Sequence, residues 1–130
     1  MNVLLTGGCG FIGSNLIQAF LRHDLIDKLI VLDNLSTGSL DNIRPFLDNP
    51  KMEFVNGDIC DKDLCDKLCK NIDLISHQAA LGSVPRSIND PIKTNEVNIN
   101  GFLNLLVGAK DNGIKRFVFA ASSSTYGDSK

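Results

Sequence analysis

Val3-Leu4-Leu5-Thr6-Gly7-Gly8-Cys9-Gly10-Phe11-Ile12-Gly13-Ser14 is the stretch on which the fold turns. An apolar strand runs directly into a loop with glycines at 7, 10 and 13, and a helix pattern follows. Gly7 suits a tight turn, Gly10 leaves room above the backbone, and Gly13 lets the new helix sit close to the strand. The unpaired N–H groups at such a helix start, with the positive end of the helix dipole, face an anion. A glycine pattern alone is weak. A strand before it, a helix after it and an acid at the right distance make it specific for the pyrophosphate of a dinucleotide.

That acid is Asp33. A second apolar run, Leu29-Ile30-Val31-Leu32, ends on it, 20 residues beyond Gly13. A carboxylate there accepts hydrogen bonds from ribose hydroxyls and repels a 2′-phosphate. No Lys or Arg lies between Asp33 and Arg44, so the expectation is NAD rather than NADP. The competing role for Asp33 is a cap on the turn Asp33-Asn34-Leu35-Ser36-Thr37-Gly38.

Composition bounds the rest. A chain of 130 residues with net charge −2 is at most one domain and offers no basic surface for nucleic acid. It has no apolar run of about 20 residues to span a membrane. Met1 leads straight into a strand without a signal-peptide pattern, which predicts a cytoplasmic protein. Cys9, Cys60, Cys65 and Cys69 include no C-x-x-C pair. With only His23 and His77 as further ligands, they read as small buried hydrophobes, and no metal site is expected.

Strand and helix patterns alternate along the chain. Strands are expected near 2–6, 28–33, 52–56, 74–77 and 116–121. Helices are expected near 11–22, 61–70 and 91–111, with a loop and short helix ending about Leu47. In the long helix Ile99, Phe102, Leu103 and Leu106 recur at helical spacing, and Asn112-Gly113 marks its end. This alternation predicts an α/β fold. It is a Rossmann-type doubly wound parallel sheet of five strands in the order 3-2-1-4-5, with a ligand across the switch point between strands one and four.

Further candidate chemistry sits at strand ends. Asp58, after strand three, either accepts from an adenine amino group or caps the next helix. His77-Gln78-Ala79-Ala80 follows strand four, where the small alanines admit a cofactor close to the backbone and His77 reads as structural. Ser122-Ser123-Ser124-Thr125 follows strand five, either as turn residues or as hydrogen-bond donors to a substrate oxygen. Asn98 interrupts the long helix with a polar side chain and is either a solvent-facing residue or part of the site.

Together these motifs resemble the extended short-chain dehydrogenase/reductase family, in particular its NAD-dependent nucleotide-sugar epimerases and dehydratases. The resemblance covers the whole chain. It rests on Thr6–Ser14, Asp33–Gly38, Gly57-Asp58-Ile59, His77–Ala80 and Ser122–Gly127. The stretch Leu81-Gly82-Ser83-Val84-Pro85-Arg86-Ser87-Ile88-Asn89-Asp90-Pro91 is similar to bacterial UDP-N-acetylglucosamine 4-epimerases. Cys9 stands where the family usually has alanine.

The resemblance implies a cofactor set of Gly7, Gly10, Phe11, Ile12, Gly13, Asp33, Asn34, Ser36, Gly38, Asp58, Ile59, Gln78, Ala79, Ala80 and Asn98. Gly82, Ser83 and Ser122 would face the sugar of a UDP-sugar substrate. Ser122 matches the family's catalytic hydroxyl residue, with Ser123 the next candidate. The implied reaction is 4-epimerisation by transient oxidation at sugar C4 and hydride return. A 4,6-dehydratase or a non-catalytic dinucleotide-binding module are the alternatives. Dehydratases of this kind carry Asp-Glu soon after the catalytic hydroxyl, where this chain has Ser123-Ser124.

The family's base is a Tyr-x-x-x-Lys pair on a helix after strand five. Tyr126 to Lys130 fits that spelling, but it lies on the serine loop and contains Gly127 and Asp128, poor residues for a helix interior. Residues 1–130 are therefore expected to be the NAD-binding part of a larger domain, without the catalytic Tyr-x-x-x-Lys helix and substrate lobe. The complete protein is expected to be a homodimer.

Overall fold

The computed structural model describes residues 1–127. Residues 128–130 and the side chains of Ser123 and Ser124 lie outside the described set, and with them the side-chain reading of Ser123 and the Lys130 end of the Tyr-x-x-x-Lys spelling.

Five strands form one parallel sheet: β1 (Asn2–Thr6), β2 (Lys28–Asp33), β3 (Met52–Asn56), β4 (Leu74–His77) and β5 (Arg116–Phe119). Their order is β3-β2-β1-β4-β5, as expected. Chain order reverses between β1 and β4, where Thr6 lies opposite His77. Between the strands run α1 (Phe11–Leu21), α2 (Lys62–Leu68), α3 (Val84–Asn89), α4 (Pro91–Asn95) and α5 (Phe102–Asp111). Short 3-10 turns occupy Leu40–Asn42, Arg44–Phe46 and Ser123–Tyr126.

Successive residues of β1 and β2 point to opposite faces, and both faces are covered. Val3, Leu5, Leu29 and Val31 pack with Ile17 of α1, Ile26 and Ile43. Leu4, Ile30, Leu32 and Ile75 pack with Cys65 and Leu68 of α2 and with Leu105 and Ala109 of α5. This double burial explains the unbroken apolar runs of the central strands. At the outer edge, Val118 and Phe119 of β5 remain half exposed. The four cysteines are unpaired thiols. Among the described residues no helix is long and apolar enough to cross a membrane, and no cluster of His, Cys, Asp and Glu could hold a metal ion.

The region 84–111 departs from expectation. A separate α3 precedes the long helix. The helix itself is interrupted by a π segment, Glu96–Gly101, between α4 and α5. Its buried side carries Val97, Gly101, Leu105, Gly108 and Ala109, whereas Ile99, Leu103 and Leu106 lie on the exposed side. The helical spacing of the larger apolar residues marks a second stripe. Small residues face the core because α2 approaches closely: a Cβ on Gly108 would lie 2.9 Å from the Cys69 sulfur. Strand β5 also stops at Phe119, two residues short of the expected end. Tyr126 ends the 3-10 turn Ser123–Tyr126, and Gly127 after it, at φ +64°, leaves the helical region.

Candidate functional site

The carboxyl ends of β1, β2, β3 and β4 open into a groove of about 350 Å³. The strand ends are held in register by backbone bonds continuing past the ladder. Gly7 N–H donates to Leu32 O at 2.9 Å, Gly57 N–H to Asp33 O at 3.1 Å, and Gln78 N–H to Thr6 O at 3.1 Å.

The glycine loop forms the floor. Gly7 has φ +70°, a conformation other residues rarely adopt, and its α-carbon faces the Ala79 backbone too closely for a side chain. A Cβ on Gly13 would lie 2.1 Å from Gly7 O, so only glycine lets α1 start this close to β1. Helix α1 has Gly10 at its N-cap and no side-chain cap. The N–H groups of its first turn have no intrahelical acceptor and carry the positive end of the helix dipole. This is the electrostatic setting an anionic pyrophosphate requires.

Asp33 stands at the end of β2. Its Oδ2 accepts from Cys9 N–H and its Oδ1 from Leu35 N–H, both at 2.8 Å. Each oxygen keeps a second lone pair for a hydroxyl donor. Cys9 is fully buried, and burial, followed by the neighbouring Asp33 charge, pushes its thiol up to about 12. It is a packing group rather than a nucleophile. Asp58 Oδ1 accepts from Cys60 N–H, and Oδ2 accepts from the Asn34 side-chain amide, both at 2.9 Å. Burial opposes ionisation of Asp58. These hydrogen bonds outweigh it and hold the carboxyl below the ordinary aspartate range. The residue that caps α2 is Asp61, not Asp58.

Of the cofactor residues expected from sequence, Gly7, Gly10, Phe11, Ile12, Gly13, Asp33, Asn34, Ser36, Asp58, Ile59, Gln78, Ala79 and Ala80 all line this groove. Two do not. Gly38 packs against the back of Cys9. Asn98 turns to the loop after β4, where its Oδ1 accepts from Leu81 N–H at 2.8 Å and its Nδ2 donates to Leu81 O at 3.0 Å. The π segment carries Asn98 and brings its amide level with Leu81, which itself lines the groove. Sequence reading gave no role to Thr6, the last residue of β1. Its buried Oγ1 lies 2.7 Å from His77 Nδ1 and accepts from Ala79 N–H at 3.3 Å. The signal was its place at a strand end beside the glycine loop.

A second cavity of about 420 Å³ adjoins the first through Gln78, Ala79 and Ala80. It is lined also by His77, Asn98, Phe102, Phe119, Ser122 and Thr125. His77 is buried between Phe102 and Phe117, with ring centroids at 5.6 and 6.2 Å. Burial lowers its pKa to about 4, so the ring is neutral at pH 7 and acts as a structural group. Gly82 and Ser83 line neither cavity. Ser83 Oγ caps α3, accepting from Arg86 N–H at 3.4 Å.

The comparisons with known proteins agree with this geometry. The model of the NAD dependent epimerase/dehydratase family matches residues 3–130. The chain is 37% identical over 129 residues to the UDP-glucose 4-epimerase of Lactobacillus helveticus, covering 98% of this chain and 37% of that protein. Among solved structures it is similar to the UDP-N-acetylglucosamine 4-epimerase of Methanobrevibacter ruminantium in complex with UDP-N-acetylmuramic acid. That match has 39% identity and a TM-score of 0.84, over 98% of this chain and 40% of that one. It is also similar to a double mutant of the dTDP-glucose 4,6-dehydratase DesIV from Streptomyces venezuelae with NAD bound. Here identity is 36% and the TM-score 0.94, over 100% of this chain and 42% of that one. The chain thus spans about two fifths of the length of the relatives it matches.

Proposed function

The chain belongs to the NAD dependent epimerase/dehydratase family, and from that premise we propose that it is the NAD-binding part of a nucleotide-sugar 4-epimerase. The observation that carries this reading is the continuity of the two cavities. One groove runs from Asp58 and Asp33, past the first turn of α1, to Ala79 and Ala80, and the second cavity continues from there to Ser122. This is the order that the adenine, ribose, pyrophosphate and nicotinamide of NAD require, followed by a sugar.

The residues present fit NAD. Asp58 and Ile59 lie where adenine would sit, Asp33 offers carboxylate acceptors to the ribose, and the uncapped start of α1 takes the pyrophosphate. NAD, when bound, supplies reversible acceptance of a hydride from sugar C4. Ser122 holds the C4 oxygen by a hydrogen bond and so favours the geometry in which its proton leaves. The base that takes this proton, and the lobe that grips the UDP group, belong to the part of the complete protein matching the relatives' additional length. We place the protein in the cytoplasm, in keeping with its unpaired cysteines. We read it as a homodimer in its complete form, supported by the exposed apolar stripe Ile99, Leu103 and Leu106. The epimerase reading is favoured over a dehydratase by Ser123-Ser124, which offer no carboxylate beside the hydroxyl residue.

The test is turnover by the complete gene product. It is expected to interconvert a UDP-hexose with its C4 epimer, and Ser122→Ala is expected to lower kcat about 100-fold or more while NAD stays bound. Unchanged kcat in that variant would remove Ser122 from the mechanism. Accumulation of a 4-keto-6-deoxy sugar would make the protein a dehydratase.

A further inference from the structure

The backbone of Cys9 is held on both its N–H and its carbonyl side by the end of β2 and the loop that follows it. Its N–H donates to Asp33 Oδ2 at 2.8 Å. Its carbonyl, which has no partner in the β1 ladder, accepts twice, from Ser39 N–H at 3.1 Å and from Asn42 Nδ2 at 2.8 Å. Gly38 lies flat on the same peptide, where a Cβ would come within 2.6 Å of the Cys9 carbonyl carbon. Asn42 is 33 residues away in sequence, on a 3-10 turn that lines neither of the two cavities described above. Its amide is the one side-chain donor in this clasp.

We infer that Asn42 is a positioning residue for pyrophosphate binding: its amide fixes the Cys9 carbonyl and so sets the direction in which the start of α1 presents its N–H groups. The glycine loop is poor in side chains, so its backbone course has to be imposed from outside. Cys9 is followed immediately by Gly10, the N-cap of α1, and a rotation of the Cys9–Gly10 peptide would swing the first helical turn. Asp33 holds the N–H side of Cys9 and is itself anchored by Leu35 N–H. Without Asn42, the carbonyl side depends on Ser39 alone. The consequence is selective. Ligand groups that meet the helix start lose affinity, while the adenosine end, held by Asp33, Asp58 and Ile59, does not.

This inference rests on the assignment of the groove to NAD. The test compares the wild-type complete protein with Asn42→Asp and Asn42→Ala, titrated with NAD, ADP and adenosine. Asp has the shape of Asn but presents an oxygen to the Cys9 carbonyl instead of a donor. A role in packing alone would leave Asn42→Asp close to wild type. Both variants are expected to bind NAD and ADP about 3- to 10-fold more weakly, the effect of one lost hydrogen bond, with adenosine changed by less than about twofold. Asn42→Gln, which keeps the donor on a longer stem, is expected to lose less than Asn42→Asp, and it carries the comparison if the alanine variant does not fold. Wild-type affinity in Asn42→Asp, or an equal loss for adenosine and ADP, would overturn the inference while leaving the NAD assignment intact. Failure of the wild-type protein to bind NAD would overturn both.

Discussion

Acidification is predicted to destabilise this protein through His77. The ring is buried at the end of β4, against Phe102, Phe117 and the Thr6 hydroxyl, and burial lowers its pKa from 6.5 to about 4. Between these two values the unfolded chain binds a proton at His77 and the native state does not. Stability therefore rises with pH across this window. The contribution is complete above pH 6.5 and is lost as pH falls through the window towards 4. At about 1.4 kcal/mol per pKa unit, the whole window is worth roughly 3 kcal/mol, and roughly 2 kcal/mol is gone at pH 5. Asp27 and Asp58, whose pKa values lie below 3.8 in the native state, act only near and below the acid end of the window. Urea denaturation at pH 7.5, 6 and 5 measures the effect. His77→Asn, which keeps a polar group near Thr6 and does not titrate, is the control. The variant is expected to be less stable at pH 7.5 but to show a much flatter profile down to pH 5. Parallel profiles for the two proteins, or an NMR titration placing His77 near 6.5, would refute the reasoning.

Two other residues give sharp expectations. Asn98→Ala leaves both Leu81 N–H and Leu81 O without their partner and is expected to cost about 2 kcal/mol in chemical denaturation, together with weaker NAD binding. A cost below about 0.5 kcal/mol would mean that the π segment is held by its packing alone. Asp33→Asn retains one oxygen for two backbone donors, Cys9 N–H and Leu35 N–H. It is expected to bind NAD about 10-fold more weakly and to narrow the gap between NAD and NADP; tighter binding of NADP than NAD by the wild-type protein would remove Asp33 as the selecting group.

The sheet was legible because its signals are local and agree with one another. The central strands β1 and β2 are apolar runs whose two faces are both buried, and each ends on a residue whose type marks the end: Thr6-Gly7 and Asp33. The groove was legible for the same reason, since a parallel sheet delivers its strand ends to one side. The long helix was less so. Periodicity reports that a face is apolar without saying which of two apolar faces meets the sheet. Here the core took Val97, Gly101, Leu105, Gly108 and Ala109, because small residues let α2 and the 59–60 turn approach, and a Cβ on Gly101 would lie 2.6 Å from Ile59. The π segment has no pattern of its own in sequence; it carries the Asn98 amide that bonds the Leu81 backbone 17 residues away.

The least legible contacts are those that make the site rigid. Asn42 to Cys9, Asn98 to Leu81 and Asn34 to Asp58 each join a side-chain amide to a loop far along the chain. Asparagine in a loop or a helix is ambiguous when read alone, because it suits turns, caps and solvent equally. What distinguishes these three is that each reaches a loop at a strand end, where backbone or carboxylate groups have left the sheet ladder and need other partners. The glycines therefore show where a dinucleotide can approach, but they cannot hold that shape themselves. In this fold the holding falls to amides borne on neighbouring loops and on the long helix, so substitution at Asn42, which lines neither cavity, should weaken binding without removing any atom that touches the ligand.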